Sequence, residues 1–89
     1  MITYTKDPDA KLDYSVDWTS WLNTGATVDS VTWLVPSGLT NESESLSGAV
    51  ATVILSGGTA GQQYQITCRV TDSAGLIDDR SFMIRCKNL

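Results

Sequence analysis

Histidine is absent from this chain of 89 residues. With it go the commonest side chain for proton transfer near neutrality and the commonest metal ligand. Cysteine occurs only twice, and two thiols without histidine or further cysteine cannot build an ordinary zinc site. Basic residues are scarce: six Lys and Arg against ten Asp and Glu leave a net charge of −4. Nucleic acid is therefore not expected as a partner, because phosphate binding needs clustered cations. No apolar run approaches the roughly 18 residues that span a bilayer as a helix. The longest, Ala49-Val50-Ala51-Thr52-Val53-Ile54-Leu55, is short and interrupted, so no membrane role is expected. The first residues, Met1 to Pro8, lack a basic segment followed by an apolar one and read as a cytosolic start. The size suits one domain, 1–89.

What is present is alternation. Leu12, Tyr14, Val16 and Trp18 fall on one face of an extended segment, with Asp13, Ser15 and Asp17 on the other. Val31, Trp33 and Val35 repeat the pattern before Pro36, as do Ala51, Val53 and Leu55. Tyr64, Ile66, Cys68 and Val70 continue it, followed by Phe82, Ile84 and Cys86. Ile2–Thr5 and the Ser- and Glu-rich stretch from Leu39 to Leu46 are weaker strands, the latter suited to a polar edge. About seven strands separated by Gly, Pro, Asn and Asp predict an all-β sandwich. Asp17 before Trp18, Trp21 and Leu22 predicts one short helical turn near residues 18–22 that plugs an end of the sandwich.

Trp33 on the third strand and the Gly-rich corner Gly57–Gln63 leading into Tyr64 point to an immunoglobulin-like arrangement with a tyrosine corner. The turn Asp72-Ser73-Ala74-Gly75 predicts a hairpin with Cys68 opposite a residue near 79. Register and compartment then both disfavour a Cys68–Cys86 disulfide, and buried thiols are expected.

Chemistry is thin. Asp7, Asp9, Asp13, Asp17 and Asp29 suggest calcium on paper, but turn formation and a solvated strand face explain them better. Asp78 and Asp79 beside Arg80 read as a solvated loop with weak surface pairing. The serines have no histidine to activate them, and Gly57-Gly58 lacks the Lys and helix of a phosphate loop. No enzyme activity, cofactor or metal is expected. Trp18 and Trp21 read better as a packed plug than as an exposed aromatic patch for carbohydrate. Ile2 and Tyr4 read better as the sandwich's own first strand than as an arm for a neighbour's edge. Residues 1–58 carry −5 and residues 59–89 carry +1, counting two basic and seven acidic against four and three. The least acidic surface is that of Arg69, Met83 and Arg85.

Lys6-Asp7-Pro8-Asp9-Ala10, Leu12–Trp18, Trp21-Leu22, Leu55–Gly61, Tyr64 and Arg80-Ser81-Phe82 resemble, in that order, a small protein family found among structural genes of tailed bacteriophages and prophages. The resemblance covers nearly the whole chain. It implies an immunoglobulin-like virion protein without enzymatic activity, made in the host cytoplasm. Its partners would be phage capsid or head–tail proteins, and copies of itself on the particle are allowed for. The leading expectation is a capsid decoration or cement protein. The alternatives are a neck or tail accessory protein, or a carbohydrate- or host-surface-binding module. The matching motifs are scaffold, so no partner-binding residue is carried over.

Overall fold

The computed structural model describes residues 1–89. Seven strands run in the order β1 (Thr3–Lys6), β2 (Leu12–Asp17), β3 (Val28–Leu34), β4 (Leu39–Ser47), β5 (Val50–Gly57), β6 (Gln63–Asp72) and β7 (Ile77–Cys86). They form two sheets, β1-β7-β6-β3 and β2-β5-β4. Every pairing is antiparallel except β1 with β7, which run parallel from Thr3↔Met83 to Lys6↔Cys86. This is an immunoglobulin-like sandwich in which the first strand lies on the β7 edge and leaves β2 at the edge of its own sheet.

The alternation decides which side chains meet between the sheets. Tyr14, Ala51, Val53 and Leu55 from one sheet and Trp33, Ile66, Cys68, Val70, Phe82, Ile84 and Cys86 from the other are buried, with Trp18 and Leu39 closing the ends. Phe82 sits at the centre of the aromatic packing, stacked on Tyr14 with ring centroids 5.4 Å apart and edge-on to Tyr4 and Trp33. Each large apolar side chain buried this way stabilises the fold by roughly 1.5–3 kcal/mol. Leu12, expected to face inward, is half exposed, and Val31 and Val35 are only half-buried. Leu12 opens edge strand β2, Val31 lies on edge strand β3 and Val35 follows its end, where cover by neighbouring strands is partial.

The turns follow residue chemistry. Ser47 pairs with Val50 across the two-residue loop Gly48-Ala49. Gly48 alone takes positive φ there, +59°, as a type II′ hairpin turn requires of its first residue. The β6–β7 hairpin is held by Asp72, whose buried Oδ1 accepts the N–H groups of Ala74 and Leu76 at 2.9 and 2.8 Å. Tyr64 makes the expected corner, its Oη accepting the Thr59 N–H at 3.0 Å. Asp78 and Asp79 lie on β7 and not in a loop.

The expected turn at 18–22 is present as one hydrogen-bonded turn and goes no further. The Trp21 and Leu22 N–H groups both donate to the Trp18 carbonyl, at 3.0 and 3.2 Å, and no helix follows. Asp17 caps the turn by accepting from the Thr19 N–H and hydroxyl. The segment then has to cross from β2 to β3 in the opposite sheet, and Asn23-Thr24-Gly25 opens it.

Candidate functional site

No three His, Cys, Asp or Glu side chains gather where they would hold a metal ion. The carboxylates singled out for calcium are spread out, and several are spent on backbone. Asp7 accepts the Asp9 N–H at 2.8 Å and the Leu89 N–H at 2.9 Å, which holds its carboxyl below the ordinary 3.8. The Thr19 hydrogen bonds lower Asp17 in the same way. Asp79 takes a two-pronged contact from Arg69, at 2.8 and 3.0 Å, that lowers the acid and raises the base. That pair sits on an exposed sheet face, where water and salt screen such bridges.

Both cysteines are free and buried. Cys68 lies opposite Arg80, one residue from the expected position, while the Cys86 N–H donates to the Gln62 carbonyl. Burial pushes the Cys68 thiol above its ordinary 9.0, against a smaller pull from the neighbouring Trp18 indole and Arg80.

The two end tryptophans divide. Trp18 is fully buried, with Trp21 edge-on at 5.4 Å and half-buried. Arg80 caps Trp18 from outside, its guanidinium 4.5 Å from the ring centre and donating to the Asp17 carbonyl at 2.9 Å. Buried under an arginine, Trp18 offers no platform for a sugar ring.

Two buried polar residues were not legible as such. Asp72 had a signal, its place before Ser-Ala-Gly. Lys6 had none. Its ammonium is fully buried, donating to the Gly57 carbonyl at 2.7 Å and the Asp7 carbonyl at 3.0 Å. Removing an ammonium from water costs several kcal/mol unless its protons are satisfied. Here two carbonyls accept two of its three protons and tie the end of β1 to the end of β5 in the other sheet.

What remains for function is surface. The concavities are open hollows at the sandwich margins. One of about 450 Å³ is lined by Trp33, Leu34, Val35, Pro36, Gln65 and Thr67. A second, about 130 Å³, lies between β3 and β4 against Val31, Trp33, Glu44 and Leu46. A third, about 230 Å³, opens between β1 and β2 beside Ile2, Tyr4 and Arg80. Ile2 and Tyr4 belong to the β1 side of the sandwich, as expected: Tyr4 is in β1 and the Met83 N–H donates to the Ile2 carbonyl at 2.8 Å. β1, β2, β3 and β4 each present an unpaired edge.

Compared with known proteins, residues 6–85 match the family described as podophage GP4 fiber-tail adaptor protein gp77. No curated protein matches the chain. The family match spans all but the first five and last four residues, so every strand except the start of β1 and the end of β7 lies wholly inside it. The chain belongs to this podophage fiber-tail adaptor family and is a phage structural protein, a component of the virion.

Proposed function

We propose that the chain is a non-enzymatic tail accessory protein that joins a fibre to the tail of the phage particle. The observation that carries this reading is the family match over residues 6–85. It favours the tail alternative over capsid decoration, which rested on resemblance to phage structural genes in general. The geometry is in keeping with it. The carboxylates and cysteines serve turns and core, the hollows lie open at the margins, and four strand edges are left to meet other chains. An adaptor needs a rigid body with separate attachment surfaces, and a sandwich with open edges supplies both.

Fractionation of dissociated particles tests it. Heads and tails separated on a gradient should leave this chain with the tails, and particles made without it should lack fibres while keeping filled heads. Recovery of the chain with heads, or fibre-bearing particles in its absence, would overturn the reading.

A further inference from the structure

Between residues 12 and 68 there is no Lys or Arg, while Asp13, Asp17, Asp29, Glu42 and Glu44 all fall there. β3 and β4, the open edges on one side of the two sheets, lie wholly within that stretch. Sheet edges are ordinarily protected by charged side chains, proline, bulges or shortness. β4 carries Glu42, Glu44 and a bulge between Asn41 and Ser43, whereas Ser30–Leu34 of β3 holds no charge, no proline and no bulge. Glu42 has Lys11 at 3.8 Å, a loose contact, and Glu44 has only the Asn41 amide at 2.9 Å. Arg69, opposite Thr32 on β6, is committed to Asp79. Asp29 and Glu44 therefore leave negative charge without a cationic partner on this side of the molecule.

A second observation lies at the same place. Trp33 is 8% exposed and its indole Nε1 has no hydrogen-bond partner, as is true of Trp18 Nε1 and Tyr14 Oη, but of the three only Trp33 lines the hollow between β3 and β4. A buried donor left unpaired is costly, and native proteins rarely keep one without cause. The same side chain lines the hollow between β3 and β4, together with Val31, Leu46 and Glu44. Beyond the bulge at Asp29, Ser30–Leu34 is a regular strand whose alternate N–H and C=O groups face away from β6.

We propose that the free edge of β3 is a strand-addition site for an extended, basic segment of a partner protein. Main-chain hydrogen bonds to Ser30–Leu34 hold the segment. An apolar side chain enters the hollow against Val31, Trp33 and Leu46, and a Lys or Arg meets Glu44. The inference deepens the adaptor reading and rests on it for the existence of a protein partner.

A heptapeptide alternating lysine and valine, with a glutamate–valine peptide as its counterpart, probes the edge on the full ¹⁵N-labelled chain. The lysine peptide should shift the Trp33 indole N–H signal and slow exchange of alternate amides in Ser30–Leu34. It should bind at least tenfold more tightly than the glutamate peptide. Glu44→Lys, on an exposed edge, should weaken it about three- to tenfold with the melting temperature unchanged. Equal affinity for both peptides, shifts confined to the β1–β2 side, or no shift would overturn the inference. So would concentration-dependent dimerisation that protects the same amides, which would give the edge to a second copy. A chain that travels with tails yet ignores the peptide refutes the edge and leaves the adaptor reading standing; a chain that binds the peptide but travels with heads does the reverse.

Discussion

Gly58 is the position where the packing makes its sharpest demand. Its φ is +98°, its N–H donates to the Gly38 carbonyl at 2.9 Å, and a Cβ there would overlap the Cys86 sulfur. Gly58→Ala therefore carries two separable penalties. A side chain at positive φ costs about 1–2 kcal/mol, and overpacking a filled core costs about 1–3 kcal/mol more. Cys86→Ala alone leaves a small void and costs about 1–2 kcal/mol. Were the two independent, the double variant would lose about 3–7 kcal/mol, the sum of those ranges. Because the alanine methyl enters the space the sulfur vacates, the double variant should lose only about 1–3 kcal/mol, keeping the φ penalty. Urea denaturation followed by tryptophan fluorescence reads all four proteins, and equal m-values license the comparison. Additive losses, within about 0.5 kcal/mol, would show that Cys86 does not press on Gly58 and that the end of the sandwich is packed differently.

Trp33→Ala should cost about 3–5 kcal/mol and largely unfold the chain, read as a collapse of the denaturation midpoint; an unchanged midpoint would remove Trp33 from the core. Tyr64→Phe should cost only about 1 kcal/mol, because water can replace the phenol at the exposed Thr59 N–H, and a loss several times larger would mean that the corner is dry. Burial raises Cys68 above its ordinary 9.0 and Tyr14 above its ordinary 10.0. The unfolded chain thus loses these protons first, so stability should be full below about pH 9 and fall as pH rises further; a flat profile from pH 8 to 11 would refute it. At the acid end the sign reverses. Asp7, Asp17 and Asp79 are all lowered from 3.8, so their contribution is present above that value and lost below it.

The core strands were legible because period-two alternation is dictated by the pleat. Tyr64, Ile66, Cys68 and Val70 could be assigned to one face with no knowledge of what they touch. The hairpin register was legible to one residue because Asp72 and Gly75 restrict the turn. The single turn after Asp17 was legible from its Asp cap and apolar residues at i, i+3 and i+4, although the same signal also opens a helix. Only the need to cross between sheets decides it. Lys6 was invisible because its burial depends on carbonyls supplied by Asp7 and, 51 residues away, Gly57. The proposed placement on the tail was beyond intrinsic reading altogether, since a sandwich with an inert interior serves head and tail equally well. The β3–β4 side was partly written in the chain as a long run without Lys or Arg, but its meaning needed the topology that puts both edges on one side.

Electron cryomicroscopy of intact virions tests the central claim most directly. A body of 44 × 22 × 19 Å with two facing sheets should stand where a fibre meets the tail and be missing from particles made without this chain. The same body repeated over the capsid lattice, with the fibre junction unchanged by its loss, would contradict the account.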